Sequence, residues 1–177
     1  IPDLPDNVKT KDFNLIESFD IDKWSSLVSG SSFYFNDYAE EEEIHHLDGQ
    51  TIEEAEHQIA TRLYQNNARV HFNQHIEKSG RFGKRIIYGG YIISLARAIS
   101  CNGLANTFKL AAIHSGKHSA PTFSGDTIYA WSKILEKEII HKNVGAMMIR
   151  TLASKNDSKM NFPDKTNPVS YTHLRAH

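Results

Sequence analysis

Residues 86–99 read IIYGGYIISLARAI, and the predicted fold turns on that stretch. Two apolar residues lead into Tyr88-Gly89-Gly90, and the segment beyond is apolar on almost every face. No side of it suits water, so it is predicted to be a buried central helix. The glycine pair at its start lets another group come close to the first free backbone N–H groups. Those donors lie at the positive end of the helix dipole. They suit an oxygen that gains negative charge, such as a carbonyl becoming an enolate. Asn102-Gly103 is the expected stop.

Downstream the period changes from helical to alternating. Residues 106–118 read as a strand and 121–126 (PTFSGD) as a turn. A long strand is predicted over 127–141, with Ile128, Ala130, Ser132 and Ile134 on one face and Tyr129, Trp131, Lys133 and Leu135 on the other. Another follows over 144–154. Upstream, Thr51 to Glu54 has the spacing of a capping box, which predicts a helix over 52–64 with Ile52, Ala55, Ile59 and Leu63 as its inner stripe. The acidic run 40–43 reads as a solvated turn and 44–47 as a short strand; 66–83 reads as a loop. One long helix followed by successive antiparallel strands gives an α+β class, with the sheet wrapped round the helix.

The chain has 177 residues, 40% hydrophobic and 23% charged, enough for one domain with a real core. Twenty basic residues against 21 acidic leave a net charge of -1, so nothing draws the chain to nucleic acid or an anionic membrane. Cys101 is the single cysteine, which excludes an internal disulfide and makes a reducing, cytoplasmic setting the default. No apolar run approaches the ~20 residues of a membrane span. No signal-peptide pattern is present, although the chain opens on Ile1. The opening IPDLPDNVKT reads as a linker. Residues 169–177 (VSYTHLRAH) match nothing in the body and read as a non-native, adaptor-derived tail. The expected organisation is therefore a lead-in over 1–35, a domain over 36–163 and a tail over 164–177.

Several stretches together resemble the MaoC-like dehydratases of the hotdog fold. These are TIEEAEHQIATRLYQNNARVHFNQH, GRFGKRIIYGGYIISLARAIS, NGLANTFKLAAI and FSGDTIYAWSKILEKE. The resemblance implies one unit of a double hotdog, a second hotdog unit as partner, and no cofactor. It also implies a lyase that hydrates an enoyl-CoA thioester, with mesaconyl-CoA and β-methylmalyl-CoA as the reacting pair.

Hydration needs a base for water, an acid for the α-carbon and donors for the thioester oxygen. The family pattern Asp-x-Asn-Pro-x-His, laid on this sequence, puts the histidine at His71 and the aspartate at Asn66. Asn73 takes the polar position two beyond the histidine. An amide does not accept a proton as a carboxylate does. His71 is then the expected base, with Asn66 or Gln65 orienting water; Glu54, Glu56 or Asp126 is the alternative carboxylate. By the same matching Gly90 is the oxyanion donor, Gly89 opens the helix beside it, and Tyr88 lines the acyl pocket or packs. Arg97 binds a free substrate carboxylate or pairs with a carboxylate across a subunit or unit interface. Arg81, Lys84 and Arg85 are candidates for the CoA phosphates.

Two His pairs at i, i+4 spacing, His71/His75 and His114/His118, lie on no convincing helix. On a strand the second pair would be about 13 Å apart, so no metal site is expected. A rival reading makes this a non-catalytic hotdog half that completes the substrate tunnel, favoured by Asn66. A hotdog thioesterase would need a carboxylate on the central helix, and residues 91–100 contain none.

Overall fold

The computed structural model describes residues 9, 20–141, 143–159 and, for the backbone, 171–176. Its centre is α4 (Gly89–Ile99), which begins at the glycine pair as the sequence predicts. A kinked turn, α5 (Cys101–Leu104), follows, with Gly103 at φ +107° ending the helical path. That left-handed conformation is open to glycine at little cost. Added bulk there would also meet the Ile44 side chain.

Among the described residues, five antiparallel strands form one sheet: β1 (Glu43–Thr51), β2 (Leu110–Gly116), β3 (Thr127–His141), β4 (Val144–Lys155) and β5 (Tyr171–Ala176). Their spatial order is β1-β3-β4-β5-β2. The long β3–β4 ladder, with Ile134 opposite Ile149, is the backbone of the sheet. The β3 face that carries Ile128, Ala130, Ser132 and Ile134 is buried throughout. Helix α4 packs on β1, β3 and β4. Ile92, Leu95, Ala96 and Ile99 join Ile52, Ile87, Ile128 and Ala130 in one core cluster. Tyr38, Leu104, Ile134, Met147 and Ile149 form a second.

Four expectations need correction. Helix α4 is buried on one face only: Tyr91, Ile93 and Arg97 are half-buried, and Ser94 and Ala98 are exposed. Apolar character all round therefore reflects one face against the sheet and another left to a second surface or to solvent. The helix predicted over 52–64 is α2 (Glu54–Leu63), and it has no capping box. Thr51 instead ends β1, with its hydroxyl bonded to that of Thr127 at 2.8 Å. Its inner face carries His57, Ala60 and Thr61, whereas Ile59 (56% exposed) and Leu63 (73%) point outward. The strand predicted from residue 106 starts at Leu110, because Asn106 is tied into the lead-in. Its amide donates to the Ser31 and Phe33 carbonyls, and its oxygen accepts from Trp24 and Ser29. Finally, the expected domain ends at 163, yet Tyr171–Ala176 is a strand between β4 and β2. Most of the linker expected over 1–35 lies outside the described residues. Within the rest, a 3-10 turn (Ile21–Lys23) and the short α1 (Ser26–Ser29) are ordered.

The C-terminal end of α4 is closed by a buried polar chain. His46 Nδ1 donates to the Asn102 carbonyl at 2.5 Å, and its Nε2 accepts from the Ser132 hydroxyl at 2.7 Å. Ser132 in turn meets the Thr151 hydroxyl at 3.0 Å. A carbonyl only accepts, so the proton of the neutral His46 ring sits on Nδ1. Burial is the main cause that pushes the His46 pKa down.

Candidate active site

The segment that enters α4 is pinned at successive peptide groups. Ile86 N–H donates to the Val70 carbonyl (3.1 Å) and Ile87 N–H to the Thr122 carbonyl (2.8 Å). The Ile86 carbonyl accepts from His71 Nδ1 (2.9 Å), and Tyr88 N–H donates to His57 Nε2 (2.8 Å). Inside the helix, Tyr91 N–H and Ile92 N–H both turn back to the Tyr88 carbonyl. The Gly89 and Gly90 N–H groups have no acceptor among the described residues. They are the open donors of the helix N-terminus.

Those donors border a cleft of about 560 Å³ whose lining includes His71, Tyr88, Gly89, Gly90, His118 and Thr122. His71 comes from a 3-10 turn (Arg69–His71) in the predicted loop. Its own carbonyl is held by the Gln58 amide at 3.0 Å. Because Nδ1 is committed to a carbonyl, the neutral ring carries its lone pair on Nε2, which no described protein group takes. The glycine pair also has a steric reason. A Cβ at Gly90 would come within 2.5 Å of the Tyr88 ring, and one at Gly89 within 2.6 Å of His118 Nε2. The close approach foreseen from the sequence is thus made by two ring side chains.

The structure brings His71, Tyr88, Gly89 and Gly90 together and leaves the other predicted site residues elsewhere. Asn66 Oδ1 accepts from Ala68 N–H at 2.9 Å, a turn within its own loop, and Asn66 does not line the cleft. Asn73 caps α3 (Gln74–Glu77) by accepting from Ile76 N–H. Arg97 donates to Ser100 Oγ at 3.1 Å, outside the cleft, and pairs with no carboxylate among the described residues. Its length lets it fold along its own helix.

None of the alternative carboxylates reaches His71. Glu54 pairs with Arg85, and Glu56 accepts from the Tyr91 hydroxyl at 3.0 Å. Asp126 is bound by Phe123 N–H, Asn156 and Lys155. Burial would raise the Asp126 pKa, but those three partners together hold it below the usual carboxylate value. Burial, aided by Glu56, pushes the Tyr91 hydroxyl up to about 12. Arg81 and Lys84 lie over the Phe82 and Phe123 rings, at 5.0 and 4.3 Å, and Phe82 lines the cleft. Arg85 is spent on Glu54 and the Phe72 carbonyl. Among the described residues, no three metal-ligating side chains converge, and no helix is long and apolar enough to cross a membrane. A separate cavity of about 400 Å³, walled by Trp24, Phe35 and Phe108, contains none of the predicted site residues.

Two site residues escaped the sequence reading. His118, in the sequence only half of a metal-spaced pair, lies past the end of β2 and lines the cleft. His57 carries no signal in the sequence, because the apolar stripe of α2 points away from it. It is 1% exposed, and burial with the neighbouring His71 charge pushes its pKa down to about 4.

The chain is 53% identical over 165 residues to the β-methylmalyl-CoA dehydratase of Chloroflexus aurantiacus, covering 92% of this chain and 47% of that one. It is 42% identical over 160 residues to the mesaconyl-CoA hydratase of Cereibacter sphaeroides, covering 90% and 46%. The crystal structure of a MaoC domain protein dehydratase from Chloroflexus aurantiacus superposes with a TM-score of 0.87 at 48% identity, covering 99% of this chain and 52% of the other. This chain belongs to the MaoC-like hotdog family. No family model matches it. The MaoC-like unit spans about half the length of the curated relatives it matches.

Proposed function

We propose that this MaoC-like unit is the catalytic half of a hydro-lyase that adds water across an enoyl-CoA thioester, with mesaconyl-CoA and β-methylmalyl-CoA as substrate and product. Water is held at His71 Nε2, which takes one proton as the water oxygen bonds to the β-carbon. The electron pair of the C=C bond moves onto the thioester oxygen, where the Gly89 and Gly90 N–H groups receive the enolate. The imidazolium then returns its proton to the α-carbon, so one water is added and His71 ends neutral. The observation that carries this reading is a histidine with its Nε2 lone pair free beside two open helix N–H donors in one cleft. Removing one oxyanion donor typically costs ~3–4 kcal/mol of transition-state stabilisation. The remaining length of the related proteins is the natural source of a second hotdog unit, and the lone cysteine makes a cytoplasmic setting the working assignment.

The test uses the full-length protein and mesaconyl-CoA. His71→Ala should lower kcat at least about 100-fold, the usual size of a general-base contribution, with the melting transition retained. Wild-type turnover in that variant would rule the assignment out.

A second reading keeps this unit as a non-catalytic partner that completes the substrate tunnel. The observation in its favour is Asn66 at the family's carboxylate position, with its oxygen turned to Ala68 N–H. On that reading His71→Ala and Asn66→Ala both leave kcat unchanged.

A further inference from the structure

We propose that His57 is a positioning residue: as a neutral acceptor for Tyr88 N–H, it holds the oxyanion-binding amides of Gly89 and Gly90 in line with His71. The inference rests on the hydratase reading above and adds a residue to it.

The hydrogen-bond inventory of residues 86–92 makes the case. Every backbone N–H of that run except those of Gly89 and Gly90 has an acceptor among the described residues. Of the satisfied donors before the glycines, Ile86 and Ile87 use backbone carbonyls, whereas Tyr88 uses a side chain. That bond spans 31 residues and joins α2 to the first turn of α4. Tyr88 N–H is the last fixed donor before the two open ones, so its acceptor sets the direction in which the next two peptide planes face. An N–H donor buried without a partner is costly, and the turn would rotate to find one.

The ring of His57 also forms part of the wall behind the base. It stands edge-on to His71, with centroids 6.3 Å apart and planes at 87°, and packs similarly against Tyr91 at 6.2 Å. A backbone N–H can only donate, so the 2.8 Å bond from Tyr88 puts the lone pair on Nε2 of His57 and the proton on Nδ1; the Gln58 amide stands 3.4 Å from Nδ1 and donates at 3.0 Å to the His71 carbonyl instead. Protonation of the ring would destroy the bond. Burial, at 1% exposure, and the adjacent His71 both oppose that protonation. His57 is not itself one of the residues that line the cleft. It acts on the substrate only through Tyr88.

Three substitutions in the full-length protein separate positioning from bulk. His57→Gln keeps an acceptor, because Oε1 is as many bonds from Cα as Nε2. His57→Asn is one bond short, and His57→Leu has no acceptor. The expected result is a kcat loss of about 100-fold for Leu and Asn, the scale of losing an oxyanion donor. KM for mesaconyl-CoA should stay within about threefold, and Gln should return kcat to within about tenfold of wild type. Equal kcat in Leu and wild type, or equal losses in Gln and Leu, would overturn the inference.

A measurement on the unaltered protein avoids any variant that does not fold. Imidazole nitrogen NMR at pH 7 should show His57 as the Nδ1–H tautomer, with Tyr88 N–H coupled to its Nε2. A proton on Nε2 would refute the positioning role outright. If the wild-type protein hydrates no enoyl-CoA while that tautomer is found, the hydratase reading fails and the Tyr88 anchor stands.

Discussion

The two ends of α4 each hold a buried histidine, and the contrast between them separates structure from function. At the C-terminal end, His46 spends both ring nitrogens inside the protein, on the Asn102 carbonyl and the Ser132 hydroxyl. Every polar group there is matched, and Gly103 turns the chain away. At the N-terminal end, His57 takes one backbone N–H, and the next two are left open beside His71. A polar network that closes on itself specifies a fold. One that stops two donors short, in a cleft, is arranged to receive a ligand.

The most damaging test of this contrast is a side chain placed at the open end. Gly90→Val puts atoms where the Tyr88 ring lies, 2.5 Å from the would-be Cβ, and should lower kcat by about 100- to 1000-fold. Steady-state kinetics on mesaconyl-CoA, with circular dichroism to confirm folding, would check it. Retained activity would mean the donors there are idle.

Next in size is the pH dependence of stability. His57 has a folded-state pKa of about 4 against an ordinary value of 6.5. Between those values the unfolded chain binds a proton that the folded chain refuses, so stability rises with pH across that window. Its contribution is fully present above about 6.5 and is lost as pH falls towards 4, on the order of 3 kcal/mol in total. His46 adds a loss of the same sign. The groups facing His57 are His71 and Tyr91, the latter bonded to Glu56. Denaturant titrations at pH 7 and pH 5 should show the difference, and His57→Gln should flatten it.

The smallest effect belongs to the closed end. His46→Leu strands the Asn102 carbonyl and leaves the Ser132 hydroxyl with Thr151 as its partner, which should cost about 1–3 kcal/mol of stability. The kcat of the protein that remains folded should be unchanged. A thermal melt alongside kinetics reads both, and a large kcat loss would erase the distinction between the two ends.

The fold was legible where a period runs unbroken. The alternation in β3 and the apolar run of α4 need no knowledge of distant partners, and both elements lie where the pattern puts them. The inner face of α2 was not legible, because it is chosen by His57 meeting an N–H 31 residues away. The apolar stripe of Ile59 and Leu63 pointed the wrong way for that reason. His71 and the glycine pair share one cleft, where the family resemblance puts them. Asn66 and Arg97 lie outside it, each with a partner in its own segment. His118 reaches the cleft only because β2 stops at Gly116 and the following loop lies against Gly89. Local pattern carries no trace of that contact.

The central claim is that a thioester oxygen sits on the Gly89 and Gly90 N–H groups with His71 alongside. Amide NMR of the full-length protein titrated with methylsuccinyl-CoA, a saturated analogue that cannot be hydrated, tests it directly. The account predicts downfield proton shifts at Gly89 and Gly90 larger than at any amide of the closed end near Asn102. Shifts absent at both glycines while the analogue binds would contradict it.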